Sequence, residues 1–196
     1  MLSIGTKVIY PGQGPCVICD VVNRVVDNRP MTFFHLLVLN GGGEMFIPVD
    51  KINSTGIRPM LKISDIPKLL DQLKEPTLVV DDFRQRSRDN VKRFMSGSAF
   101  DLAEVVESLT ELSKTKALSF GEIKTLERAR SMLICEIAEV TKKTKEEAEK
   151  QIDEALGARE IAFRLMAETT TFNNREDKQT AGPRDRKARQ EAAQSA

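Results

Sequence analysis

The stretch YPGQGPCVIC, Tyr10–Cys19, connects a short β-type segment, KVIY, to a longer β-branched one. Its two glycines could begin a phosphate-binding loop, and its C-x-x-C spacing also occurs in redox and zinc sites. A Walker loop requires a lysine and a helix after the glycines, whereas Pro15 and a β-branched segment follow here. Gly12 and Gly14 therefore predict a tight turn between two strands.

The cysteine pair in this stretch lacks the geometry of a metal or redox site. Side chains alternate along a strand, so Cys16 and Cys19 are expected on opposite faces of the sheet. The other soft ligand candidates, His35 and Cys135, belong to a predicted strand and a predicted helix. We expect the cysteines to act as small apolar residues, and His35 to be a core or half-buried residue. The prediction is a protein without a metal or a cofactor, and a thiol redox or zinc protein is kept as a third alternative.

The composition indicates a protein of a reducing compartment. The chain has three cysteines in 196 residues, and no apolar run approaches the length of about 20 residues that crosses a bilayer. We therefore expect a cytoplasmic protein without membrane association. A single histidine and the absence of nucleophile motifs predict that it is not an enzyme.

The sequence pattern changes from β to helical near residue 60. Four β-type segments are separated by turns that are rich in glycine, asparagine and proline, including Asn28–Pro30. These predicted strands are Thr6–Tyr10, Pro15–Val26, Phe33–Leu39 and Glu44–Val49. So many short strands in so few residues predict a small, strongly bent sheet or open barrel.

The remainder predicts an all-helical unit and a tail. Ser64 and Thr144 are expected N-caps, and Ser119 with Glu122 has the spacing of a capping box. The predicted helices are Ser64–Leu73, Asp81–Met95, Phe100–Ser113, Ser119–Val140 and Thr144–Leu156. The fold class is therefore α+β with two domains, residues 1–60 and 61–165. Few apolar residues follow Phe172, so 166–196 are expected to form a largely disordered tail.

The chain has 30 Lys and Arg against 29 Asp and Glu, which leaves a net charge of only +1. A nucleic-acid binder with this balance must concentrate its basic residues locally. On a helix, Arg84, Arg88 and Lys92 would line one flank, while Val91 and Phe94 would face the core. Such a cluster suits phosphate contacts, and a solvated face paired with acids is the alternative. Phe83 could be a core residue, or it could be exposed and stack on a base. The later basic residues could also contact phosphates, or they could form intrahelical pairs with Glu122 and Glu127; these residues are Lys124, Arg128 and Arg130.

Four segments of the sequence resemble the CarD/CdnL family of RNA-polymerase-binding regulators. IGTKVIYPGQGPCVI and FIPVDKINSTGIRPM are similar to the polymerase-interacting domain that this family shares with transcription-repair coupling factors. FRQRSRDNVKRFMSGSAFDLAEVVESL and KALSFGEIKTLERARSMLICEIA are similar to the CarD-type helical domain. The resemblance covers about residues 3–160. The short chain lacks a Walker sequence, which favours the CarD-like branch over the coupling factors.

The resemblance implies a Tudor- or SH3-like domain that docks on the lobe of the RNA polymerase β subunit. Arg24 and Phe46 fall at its polymerase-contact positions, and Phe83 falls where the family has a tryptophan that wedges into promoter DNA. This chain has no tryptophan, and phenylalanine offers a smaller face without an N–H donor. The expected DNA-binding residues are Phe83, Arg84, Arg86, Arg88, Lys92, Lys124, Arg128 and Arg130.

The sequence thus predicts a monomeric bacterial transcription regulator without enzymatic activity. It would bind polymerase and stabilise the promoter open complex by contacting DNA at the upstream edge of the bubble. The alternative is a protein–protein adaptor that docks on polymerase without a DNA wedge.

Overall fold

The computed structural model describes residues 2–75 and 82–161, which form an antiparallel sheet followed by a set of helices. All neighbouring strands are antiparallel, in the order β4-β3-β2-β1-β5. The strands are β1 Lys7–Tyr10, β2 Gly14–Val26, β3 Arg29–Val38, β4 Glu44–Pro48 and β5 Arg58–Pro59. The predicted α+β architecture, with a β unit before a helical unit, is confirmed.

The segment between β1 and β2 is the predicted turn. Gln13 N donates to Tyr10 O at 3.0 Å, and Gly12 has a φ of +73° after Pro11, as a type II turn requires. A Cβ atom on Gly12 would lie 2.7 Å from Met95 Sδ. Glycine is therefore required here by the backbone and by a helical side chain that packs on the turn.

Strands β2 and β3 form a long antiparallel ribbon, in which β3 begins earlier than predicted. Asp27 and Asn28 have φ values of 51° and 57°, the conformation of a two-residue hairpin turn, so β3 starts at Arg29. The predicted turn at Asn28–Pro30 therefore ends two residues too late, and β3 begins four residues before the predicted Phe33. Pro30 lies within the ribbon opposite Val25.

The C-x-x-C pair has the predicted geometry. Cys16 is buried, Cys19 is exposed, and both are free thiols. The ladder shifts register between Ile18 and Asp20, so Cys19 lies at a β-bulge. Burial raises the pKa of the Cys16 thiol to about 11, so this thiol is inert at neutral pH.

The helical unit has its own apolar core. The sequence predicts three helix caps in this unit, and two of them are present. Ser119 and Glu122 form the predicted capping box, and Thr144 caps the last helix by accepting from Glu147 N. The predicted Ser64 cap is wrong, because the first helix begins after Asp65 with no side-chain cap and with Pro67 in its first turn. The helices are α1 Ile66–Lys74, α2 Phe83–Met95, α3 Ala99–Thr115, α4 Phe120–Thr141 and α5, which occupies 145–161 of the described residues.

Helix α4 connects the two units through polar contacts. Arg58 makes a bidentate pair with Glu136 at 2.8 and 2.9 Å, and Leu61 N donates to the same carboxylate at 2.9 Å. Lys7 pairs with Glu139 one turn further along. Because Glu136 is only 2% exposed, this pair holds the sheet edge against α4 inside the protein. The predicted tail, 166–196, lies outside the described residues.

Candidate nucleic-acid interface

Helix α2 begins with an exposed aromatic side chain. Asp82 caps the helix by accepting from Gln85 N at 2.7 Å, so Phe83 is the first helical residue. Its side chain is 50% exposed, and the Arg86 guanidinium lies 5.8 Å from its ring centroid. This exposure shows that the core interpretation of Phe83 is wrong, and its stacking on a base stays a prediction.

One flank of α2 is cationic. Arg84, Arg88 and Lys92 are exposed, and none of them forms a salt bridge with another residue of 2–75 or 82–161. Arg88 Nε donates to the Arg84 carbonyl at 3.1 Å. The alternative of a face neutralised by neighbouring acids is therefore wrong for these three residues within the described chain.

The side of α2 that faces the protein differs from the predicted one. Arg86, Asn90 and Phe94, spaced by four residues, are buried, whereas Val91 is 57% exposed. Phe94 was expected in the core and is there, but the prediction that Val91 faces the core is wrong. A stripe of exposed apolar side chains, Phe83, Val91 and Met95, consequently runs along the outside of α2.

The expected phosphate contact by Arg86 is contradicted by its burial. Its side chain is 4% exposed, and its Nη2 and Nε lie 2.9 and 3.0 Å from Glu122 Oε1. Burial alone would raise the pKa of Glu122, but hydrogen bonds from Ser119 and Arg86 outweigh burial and lower that pKa. The pair ties the start of α2 to the start of α4, so Arg86 supports the surface rather than forming part of it.

Two of the three basic residues of α4, Lys124 and Arg128, are exposed. Lys124 is exposed, with its Nζ 4.7 Å from the Phe120 ring centroid. Arg128 Nη2 donates to Gly12 O at 2.9 Å, while its guanidinium lies 5.1 Å from the Phe94 ring and remains accessible. None of these residues makes the suggested pair with Glu127 in the structure described.

Arg130 is already paired with acidic residues of the next helix. Its Nη2 lies 2.5 Å from Asp153 Oδ1 and 3.2 Å from Glu149 Oε1, both on α5. Partial burial would lower the pKa of Arg130, but the hydrogen bonds that it donates to these two carboxylates outweigh burial and raise that pKa. The expectation of an intrahelical pair or a free phosphate contact is therefore wrong for Arg130, because its partners come from another helix.

On the sheet, Arg24 and Phe46 are brought together as a stacked group. The Arg24 guanidinium lies 3.8 Å from the Phe46 ring centroid, and the His35 ring stacks on Phe46 at 4.6 Å. His35 Nε2 is 3.3 Å from Glu44 Oε2. His35 is half-buried, as predicted, but its place in this group was not foreseen.

Family comparisons match both units of the chain. The CarD-like/TRCF RID domain matches residues 2–61, and the CarD C-terminal domain matches residues 68–153. The chain belongs to the CarD-like family. This membership confirms the resemblance found in the sequence, gives the protein a role in transcription regulation, and implies an interaction with RNA polymerase.

Two individual proteins resemble this CarD-like chain. The "Putative transcription factor YdeB" of Bacillus subtilis (strain 168) is 28% identical over 140 residues, covering 70% of this chain and 90% of the relative. The solution NMR structure of the 72-residue N-terminal domain of Myxococcus xanthus CarD is 27% identical. That match covers 30% of this chain and 79% of the domain, with a TM-score of 0.27.

Within 2–75 and 82–161, no group of three or more His, Cys, Asp or Glu side chains is arranged to hold a metal ion. In the same part of the chain, no helix combines the length and apolar character needed to span a bilayer.

Sequence reasoning missed Phe120, whose side chain is 73% exposed. It is the first residue of α4, directly after the Ser119 cap. The capping box was a usable signal, because the box places the residue after the cap at the end of the helix, where packing is incomplete.

Proposed function

We propose that this CarD-like protein docks on the RNA polymerase β subunit through its sheet and stabilises the promoter open complex through α2 and α4. The observation that carries the proposal is the exposed Phe83 ring at the start of a helix whose flank presents three cations that form no salt bridge with a described residue. An apolar ring beside cations matches a splayed base step beside its phosphates. We further propose that it acts as a monomer in the cytoplasm.

The mechanism is a shift of population toward melted DNA. Phosphate contacts by Arg84, Arg88 and Lys92 would be similar on closed and open DNA, because phosphates are present in both. The Phe83 ring gains a partner only where base stacking is interrupted. Binding is therefore tighter to the open state, and this difference in affinity favours opening.

The connection between the units lets the docked sheet position Phe83. Arg58–Glu136 and Arg128–Gly12 fix the sheet against α4. The buried Arg86–Glu122 pair then fixes the start of α2 against the start of α4. A partner bound to the sheet would thus hold the aromatic ring at a defined place, which lowers the entropy cost of the DNA contact.

The docking surface on the sheet is proposed at the Arg24–Phe46–His35 group. Stacking immobilises the Arg24 guanidinium and leaves its side chain exposed, so less rotamer freedom is lost when it pairs with a partner carboxylate. Binding to the isolated polymerase β lobe should be weakened by Arg24→Ala. Arg29→Ala is the matched control, because Arg29 is exposed on the same ribbon without this stack.

The alternative function is a protein adaptor, and the apolar stripe on α2 favours it. Val91 and Met95 continue the line of Phe83, and a protein partner could cover all three residues. In that case the helical unit would bind protein, and promoter melting would not change its affinity.

Open-complex lifetime distinguishes the two functions. We expect Phe83→Ala to shorten the lifetime on a promoter about fivefold, the lower end of the range for loss of one base stack, and Phe83→Trp to lengthen it. Ile63→Ala, at an exposed apolar residue before α1, is the control. If the protein bound polymerase but left the lifetime unchanged in all variants, the DNA wedge would be refuted in favour of the adaptor.

A further inference from the structure

Phe120 has the highest exposed fraction of the large apolar side chains in the described chain. A core residue would be covered, whereas the described residues leave this ring 73% exposed. The Lys124 Nζ atom lies 4.7 Å from the ring centroid. The ring is therefore held next to a positive charge and stays open to a further partner.

Phe120 and Phe83 begin two helices that are joined at their N-termini. Arg86, which lies near the Phe83 ring, pairs with Glu122, and the other carboxylate oxygen of Glu122 accepts from Ser119 N at 2.9 Å. Phe120 follows Ser119 directly. The two rings are thus anchored to one buried ion pair.

Both helices also contact the turn at Gly12, about two turns along α4 and about three turns along α2. Gly12 O accepts from Arg128, and Met95 lies against Gly12. Residues 120, 124 and 128 are spaced by four and share one side of α4. The α4 stripe is defined as Phe120, Lys124 and Arg128. Its Arg128 and Met95 of the α2 stripe contact the same turn residue, Gly12.

The charge of this surface indicates the chemistry of its partner. Lys124 and Arg128 form no salt bridge with a described residue. Glu127 is an exposed acid on the same side of α4, three residues after Lys124 and seven after Phe120, so this surface carries two cations and one acid. An aromatic ring with a cation one turn away matches one nucleotide, whose base stacks on the ring while its phosphate meets the cation.

We propose that Phe120 is a second base-contacting residue, which stacks on an unpaired base of the melted promoter strand while Lys124 meets the adjoining phosphate. This inference rests on the proposed function, because it requires that α2 and α4 face the open bubble. It also explains how a chain without tryptophan obtains aromatic area there, since two phenylalanines at one surface replace a single larger ring.

The test uses the full-length protein, RNA polymerase and a promoter with 2-aminopurine placed in turn at the upstream bubble positions. The variants are Phe120→Ala, Phe120→Leu, Phe83→Ala and the double Ala variant, with Ile63→Ala as the exposed apolar control. We expect Phe120→Ala to shorten open-complex lifetime about fivefold and to remove fluorescence quenching at one position. Phe120→Leu should behave like Phe120→Ala, because leucine is apolar but has no aromatic face.

The outcomes separate this inference from the proposed function. If Phe83→Ala shortens the lifetime while Phe120→Ala matches the control, the second contact is refuted and the proposed function stands. A protein that leaves the lifetime unchanged in every variant refutes both. If Phe120→Ala weakens polymerase binding without DNA, or if Phe120→Leu retains full activity, the ring contacts protein or packs without stacking, and the inference is overturned.

Discussion

Replacing Arg86 with methionine tests whether this residue is structural, as its burial indicates. Methionine fills a similar volume, so Arg86→Met removes the charge and the hydrogen bonds without opening a large cavity. Glu122 would then keep its bonds from Ser119 but lose its only described cation. Removing one partner of a buried ion pair costs about 3–5 kcal/mol, and the remaining Ser119 bonds favour the lower end.

The expected loss is therefore about 3 kcal/mol in the free energy of unfolding, measured by urea titration of far-ultraviolet circular dichroism. With a typical slope of about 2 kcal/mol per molar urea, the midpoint should fall by about 1.5 M. Arg84→Met is the control, because Arg84 lies two residues away and is exposed, and its effect should stay within about 0.5 kcal/mol.

The pH dependence of that loss has a defined sign. Because the folded-state pKa of Glu122 is lowered below its ordinary value of 4.5, its stabilising contribution is present above that value. The contribution is lost as the pH falls through the folded-state pKa, so the difference between wild type and Arg86→Met should shrink under acid conditions. The reasoning would be refuted if Arg86→Met unfolded like wild type at neutral pH and instead weakened DNA-dependent activity as Arg84→Met does.

Two further substitutions test the connection between sheet and helices. Gly12→Ala should lower the free energy of unfolding by about 1–2 kcal/mol because of the positive φ, and by a further amount because the new Cβ atom clashes with Met95. Adding Met95→Ala to the same chain should recover only the loss that comes from the clash, and thermal unfolding measures both variants. Arg58→Met should lower the free energy of unfolding in urea by about 3–5 kcal/mol, because it removes the cation that pairs with the buried Glu136. Lys92→Met is the control, and an equal urea midpoint for the two variants would contradict the role of this pair.

Local sequence patterns were sufficient for much of the fold. The turn at Gly12, the capping box at Ser119 and the alternation of Cys16 and Cys19 depend on backbone conformation and on near neighbours, so they could be predicted. The sequence predicts the turn between β2 and β3 too late, because a proline usually ends a strand. Pro30 instead lies inside the ribbon, after the turn at Asp27–Asn28.

The candidate site was only partly predictable. The cationic flank with Arg84 followed from helical spacing, which is a local property. The exposure of Phe83 and Val91 did not, because the pattern of α2 alone cannot tell which side the rest of the protein covers. Phe120 was missed for the same reason.

By itself, the sequence determined the order of a β unit and a helical unit, the family, and the concentration of basic residues on α2. Only the tertiary structure decided what each basic residue does. Arg84 and Arg86 are the same residue type two positions apart, yet the first is exposed and the second is buried against Glu122, 36 residues later. The physical reason is that helical periodicity defines faces, whereas packing against a distant segment decides which face is covered.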